Sequence, residues 1–272
     1  MRGEEEMYYF KLYFKIIGKS IESQLEYPLS FLLHFTSSFL LYLAKFSTIY
    51  ILLSRFKSIA GWSFGEICIF YGLINISYAI SDIITQGFWN ISNMIKSGEF
   101  DRFLLKPCPV LIQVLGFNFS IDRIGRLVQA VVVLIIGFIQ AEITLTFYKL
   151  ALLIWTIVGG SSLFMSILII QAALTFKTTE AVDILYLLTN GGVETAQYPM
   201  SIYNTTFRHI FTYIIPLGCV NYFSILPILS KTDVLGTTVI FQCATPLSGV
   251  IFLLISLFIW KKGLKWYAST GT

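Results

Sequence analysis

Few residues in this sequence carry charge. Asp, Glu, Lys and Arg make up 12% of the 272 residues, against roughly 25% in a soluble domain, while 56% are hydrophobic and the mean hydropathy is +0.76. That balance excludes a soluble globular fold and fits a bilayer, whose core of about 30 Å takes ~20 apolar residues per helix. Metal chemistry lacks its ligands: there are two histidines, and Cys68, Cys108, Cys219 and Cys243 show no CxxC spacing. Cys219, set near an outer surface, is the cysteine best placed to meet reagents, and it too is expected to be inert. No HExxH, paired-Asp or Ser/His arrangement appears, so the chain is not expected to be an enzyme. A nucleotide cradle is missing as well. Gly18-Lys19-Ser20 ends like a phosphate-binding loop, but Tyr13 stands where the first glycine belongs, and an amphipathic helix precedes it instead of a strand. The net charge of +4 does not mark a nucleic-acid binder, because the basic residues are dispersed in short clusters between apolar runs, as topology signals are.

What is present is helical periodicity and long apolar runs. Met1 to Glu6 is acidic and the segment after it is not uniformly apolar, so a secretory leader is not expected and the N-terminus is read as cytoplasmic. From Tyr9 onward, a helical wheel gathers Lys11, Lys15, Lys19, Glu22 and Glu26 on one side and Phe10, Tyr13, Phe14, Ile17, Ile21 and Leu25 on the other. Residues 1–27 therefore read as a cytoplasmic N-terminus and an amphipathic helix lying in the bilayer interface. Tyr27-Pro28 breaks it, since proline disfavours helix at the preceding residue and suits the first turn of the next. Residues 28–272 read as one membrane domain of six spans, near 28–53, 66–87, 121–141, 150–176, 181–197 and 236–260. A Gly61-Trp62 turn separates the first two, and a polar connector, 88–120, joins the second to the third. The fifth is poor by hydropathy alone, because Asp183, Asn190, Gly191, Gly192 and Glu194 interrupt it. The segment 207–229, broken by Pro216, Gly218 and Pro227, belongs to an outer region, 198–235. Broken helix at membrane depth needs protein or water around it.

Charge tests this orientation. With the N-terminus inside, Arg2, Lys11, Lys15, Lys19, Lys96, Arg102, Lys106, Arg123, Arg126, Lys177, Lys261, Lys262 and Lys265 are cytoplasmic, against Arg55, Lys57, Lys149, Arg208 and Lys231 outside. Thirteen against five obeys the positive-inside rule, and both termini, with the tail 261–272, fall in the cytoplasm of a multi-pass plasma-membrane protein.

A resemblance enters at three motifs. Gly98-Glu99-Phe100-Asp101-Arg102-Phe103-Leu104-Leu105-Lys106-Pro107 resembles the G-x-x-D-R-x-L-x-x-P connector of ABC-2 permeases, with Lys106 where arginine is commoner. Gln197-Tyr198-Pro199-Met200 with Pro216 and Val220-Asn221-Tyr222 is similar to their external gate, with Asn204 where a second proline is usual. Lys261-Lys262-Gly263-Leu264-Lys265-Trp266 resembles the C-terminal signature of a branch that pairs two unlike permeases with one ATPase type. The resemblance implies an all-α integral membrane protein of the ABC-2 (type V) exporter fold and a non-catalytic permease. Its expected partners are the lipid bilayer, two copies of an ABC ATPase and a second permease, in a heterodimer rather than a homodimer. ATP and Mg are then bound by the ATPases, with no cofactor in this chain and no nucleic acid. It also implies export of an amphiphilic drug, peptide or lipid-like substrate, which the 24 Phe and 15 Tyr accommodate, although aromatics also serve as plain lipid-facing packing.

Candidate residues follow. For ATPase coupling they are Glu99, Asp101 and Arg102 as docking charges and Phe100 and Phe103 as groove-filling rings; without the resemblance they make an ordinary solvated loop. For the translocation path or gate they are Lys45, His34, Asn190, Glu194, Tyr198, Pro199, Pro216 and Asn221. Lys45 and His34, about three helical turns apart, line a path or are paired internally. Asp82 and Asp183 are expected to reach water at the inner ends of their helices. Asn-x-Ser/Thr patterns at Asn75, Asn90, Asn118 and Asn204 are attributed to chance. A second reading, from another class, is a membrane-embedded scaffold or sensor that docks a regulatory ATPase without moving a solute.

Overall fold

The computed structural model describes residues 2–56, 58–117, 119, 123–179, 183–233 and 236–268, and the side chains of 2–10 and 183–186 lie outside that description. Lys57, Asn118, Asp122, the start of the expected third span, the side chain of Asp183 and the end of the tail therefore fall outside it. Helix α1 (Arg2–Leu25) is followed by a turn at Glu26 and Tyr27, and Pro28 opens α2 (Pro28–Phe56). A two-residue hairpin of β1 (Ser58–Ile59) and β2 (Trp62–Ser63) comes next. Its turn residues Ala60 and Gly61 both have positive φ, 50° and 82°, the geometry that lets a two-residue loop match the strand twist. Ser63 then caps α3 (Phe64–Thr85): its hydroxyl accepts from the Glu66 amide while the Glu66 carboxylate accepts from the Ser63 amide. This reciprocal cap fixes where the second span begins.

The connector is a chain of short pieces: a 3₁₀ turn at Gln86–Asn90, then α4 (Ile91–Lys96), α5 (Asp101–Leu104) and α6 (Val110–Gly116). Beyond it run α7 (Ile124–Gln140), α8 (Phe147–Thr178) and α9 (Asp183–Ala196). The segment 198–233 contains α10 (Thr205–His209), which widens into a π-helix over Ile210–Ile214, and a second π turn, Cys219–Phe223, leading into α11 (Ser224–Leu229). The two limbs meet at 84°. Pro216 causes the break: it has no amide hydrogen to donate, and Ile215 before it is extended at φ −121° and ψ 98°. The chain ends with α12 (Val239–Ala244) and α13 (Leu247–Gly263).

Helix α3 is the centre, buried along nearly its whole length between α7 and α8, and α13 packs along the far side of α8. Gly159 lets α8 approach the start of α13, where an added Cβ would lie 2.5 Å from the Pro246 carbonyl oxygen. By contrast α2 presents Leu29, Leu32, Leu33, Leu40 and Leu41 to the outside, a distribution sensible only in hydrocarbon.

Among the described residues four segments are long and apolar enough to cross a membrane: Pro28–Phe56, Phe64–Lys96, Phe147–Thr178 and Val239–Trp266; the bent pair makes a fifth if it is one span. The expected third and fifth spans are shorter, 17 residues in α7 and 14 in α9. At 1.5 Å per residue these reach about 26 Å and 21 Å. In α1, Lys11, Lys15 and Lys19 are exposed and Tyr13, Ile17 and Ile21 half-buried as the wheel requires, but Phe14 and Leu25 on the apolar side are exposed. Ser20 and Gln24 tie this helix to the connector by donating to the Phe119 carbonyl.

The packing at Gly159 yields a direct test. Gly159→Leu should lower the thermal midpoint of the detergent-solubilised protein, an overpacking cost of about 1–3 kcal/mol. Gly18→Ala, whose Cβ would meet open space on a helix, should hold or raise it.

Candidate functional site

Charged side chains at apolar depth are where this chain departs from a plain helix bundle. Lys45, past the middle of α2, donates to Glu194 near the end of α9 at 3.2 Å. The two side chains are 53% and 63% exposed, so the pair sits on an outer face of the single chain. Behind it lies a cavity of about 20 Å³, lined by Tyr42, Asn75, Arg126 and Asn190 along with the pair itself. That is room for about one water.

Arg126, the third residue of α7, is buried. Asn75 Oδ1 accepts from its Nε at 3.2 Å and its Nη2 at 2.8 Å, and Tyr42 Oη accepts from Nη1 at 3.3 Å. Its guanidinium lies 4.5 Å from the Tyr42 ring centre and 4.2 Å from that of Tyr78. Asn75 is oriented by donating its own amide to the Tyr71 carbonyl, one turn back on α3, which turns Oδ1 toward the arginine. Asn75 is thereby excluded as a glycosylation acceptor. Deeper along α3, Asp82 accepts from Trp89 Nε1 at 3.0 Å and pairs with Arg123 at 3.3 Å. The expectation that Asp82 reaches water is corrected: it is 3% exposed, because a cation and an indole donor are supplied inside the protein. Sequence reasoning placed Arg126 among the topology charges. The signal it carried is its position inside an apolar helix, two residues past the first.

The path candidates are partly gathered. Lys45, Asn190 and Glu194 share the cavity, whereas His34, eleven residues from Lys45 and about 16 Å along α2, is exposed and does not join them. Tyr198, Pro199, Pro216 and Asn221 belong to the segment 198–233. Asn221 donates to the Ala196 carbonyl at the end of α9, and Tyr203 Oη donates to the Thr195 carbonyl at 2.9 Å. Trp62 Nε1 donates to Ser201 Oγ at 3.0 Å, while Lys231 sits 4.2 Å from the Trp62 ring centre and 2.7 Å from Glu66. The hairpin, the start of α3 and the segment 198–233 are therefore fastened together. Asn204 caps α10 by accepting from the Phe207 amide.

In the connector the two rings turn inward. Phe100 is fully buried and Phe103 nearly so, in a cluster with Phe88, Phe176 and Trp260. The expectation that they fill a partner's groove is corrected: burial against the chain's own helices makes them the connector's anchors. Phe100 lies 4.9 Å from the Tyr267 ring and 5.0 Å from Phe176, and Asp101 Oδ1 accepts from Tyr267 Oη at 2.6 Å. Gln113 clamps the other end by donating to the Phe103 and Cys108 carbonyls. The exposed residues of the connector include Arg102, Leu104, Leu105 and Lys106, with Glu99 half-buried beside them. Cys68 and Cys219 are buried, and among the described residues no group of His, Cys, Asp and Glu could hold a metal ion.

The family described as ABC-2 family transporter protein matches residues 39–271. No curated protein and no solved structure matches. The match covers everything but α1 and the first part of α2, and the chain belongs to that family: it is a multi-pass membrane component of an ABC transporter, a class that works with an ABC ATPase.

The anchoring of the connector is testable. Phe100→Ala should cost about 3–5 kcal/mol of stability. Tyr267→Phe, which removes one charge-assisted hydrogen bond, should cost about 1–2 kcal/mol. Hydrogen exchange over residues 96–107 should accelerate in Tyr267→Phe while α3 and α8 stay protected.

Proposed function

We propose that this ABC-2 family protein is the permease half of an exporter, one of two membrane subunits enclosing a translocation path driven by two ATPases on the cytoplasmic side. The observation that carries the proposal is the half-exposed Lys45–Glu194 pair, on helices whose other exposed residues include Leu40, Leu41, Leu52 and Leu187. A charged side chain facing lipid at the centre of a bilayer costs roughly 2.5–3.5 kcal/mol on insertion scales. A second permease across a water-containing path removes that cost. An unlike partner rather than an identical copy fits the tail signature at Lys261, Lys262 and Gly263.

In this reading six spans are formed by α2, α3, α7, α8, α9 and the α12–α13 pair, and the bent α10–α11 element is a gate entering from the extracytoplasmic side. Both termini lie in the cytoplasm, and α1 rests in the inner interface of the plasma membrane. Arg102, Leu104, Leu105 and Lys106 offer the ATPase an apolar patch between two cations, while Phe100, Phe103 and Asp101 pass its motion to α8 and α13. ATP and Mg are held by the ATPases. The aromatic-rich composition, 24 Phe and 15 Tyr, suits an amphiphilic substrate.

Two measurements test this. Arg102→Glu combined with Leu105→Asp should leave the membrane level of the permease intact and lower ATPase co-purification tenfold or more, since a desolvated charge contact that loses its partner costs about 2–5 kcal/mol. Unchanged co-purification and transport would remove the coupling role. Thr206→Cys should gain labelling by a membrane-impermeant maleimide from outside intact cells; labelling only after permeabilisation would overturn the six-span arrangement.

A further inference from the structure

A buried arginine is always charged, and its five N–H donors need acceptors. Among the described residues those of Arg126 are met incompletely and without an acid. Asn75 Oδ1 and Tyr42 Oη take three of them, one on each nitrogen, and two ring faces cover the plane. One N–H on each terminal nitrogen is left for an acceptor such as a carboxylate or phosphate oxygen. The acids nearby are already engaged: Asp82 by Arg123 and Trp89, Glu194 by Lys45. The cavity beside Arg126 is bounded by Lys45 and Glu194, so its lining carries one positive charge in excess.

We propose that Arg126, between Tyr42 and Tyr78, binds the anionic group of the amphiphile that this permease moves. The proposal rests on the permease reading above. At about 20 Å³ the cavity admits no more than a water in this state, so the anion enters when α2 and α9 separate and the Lys45–Glu194 pair opens. Glu194 is then the resident carboxylate that competes with the incoming one, and the released Lys45 supplies a second cation. The tyrosine rings hold the first carbons of the tail.

The test uses the intact permease–ATPase complex in nanodiscs of zwitterionic lipid, with dodecyl phosphate, dodecanol and inorganic phosphate as probes. The wild type should bind dodecyl phosphate at least tenfold more tightly than dodecanol, and inorganic phosphate should not compete at equal concentration. Arg126→Gln should abolish the preference while keeping dodecanol binding, and Arg126→Lys should restore part of it. Glu194→Gln, which removes the competitor and leaves Arg126 in place, should tighten dodecyl phosphate binding several-fold and so reads the same site if Arg126→Gln fails to assemble. No preference in the wild type, a preference that survives Arg126→Gln, or weaker anion binding in Glu194→Gln would each overturn the proposal, and competition by inorganic phosphate would replace the amphiphile by a free anion. Failure of the permease reading looks different: no probe, charged or neutral, would change ATP hydrolysis by the complex.

Discussion

Between α3, α7 and α8 the side chains are closely packed and buried, so a polar group there depends on partners from the chain itself. Arg126 is the extreme case. Its charge is held by one amide oxygen, one phenol and two ring faces, each set by its own place in a helix. Asn75 can accept from the arginine because its amide is spent on the Tyr71 carbonyl, and Tyr71 in turn reaches the Tyr42 carbonyl on α2. The contact therefore joins three helices, and α3 is buried on all sides because it carries the middle of the network. In a low-dielectric interior such a network rigidifies when complete and is costly when broken.

The same constraint explains the two ends of α3. At its start Glu66 serves both the helix cap and Lys231, whose ammonium also covers the Trp62 ring, so the hairpin and the segment 198–233 are fixed to the helix by one carboxylate. At its end Asp82 is closed by Arg123 and Trp89, the first from the approach to α7 and the second from the connector. A displacement of the connector therefore acts on α3 through Trp89 and on α8 and α13 through Phe100, Phe176 and Trp260.

Much of the fold was legible because its signals are local. Tyr27-Pro28, the Gly61 turn and Pro216 act on their immediate neighbours, and each appears as a break where the sequence implied one. The apolar runs likewise set α2, α3 and α8 to within a few residues, whereas the expected last span, 236–260, is divided at Thr245 and Pro246 into α12 and α13. What stayed hidden depends on distant neighbours. Lys45 and Glu194 are 149 residues apart, and nothing in either segment names the other. Asp82 was expected to reach water because its partners come from outside its own helix. Phe100 and Phe103 were given to a partner subunit because a polar connector looks solvated, whereas the rings that bury them come from α8, α13 and the tail.

The division of the connector follows from those rings. In the coupling role proposed for it, the connector must be stiff where it meets the membrane domain and accessible where it meets its motor. Phe100 and Phe103 point into the bundle, and Arg102, Leu104 and Leu105 point out of it, along a piece too short for either set to move alone. The single helical turn of α5 is unstable by itself, since the nucleus of a helix fixes many torsions for one hydrogen bond. Its shape is therefore borrowed from the Tyr267 hydroxyl and the Gln113 amide. A contact at its outer face is then felt at both of its supports, one at the foot of α13 and the other on α6, whose neighbour across the interface is α1.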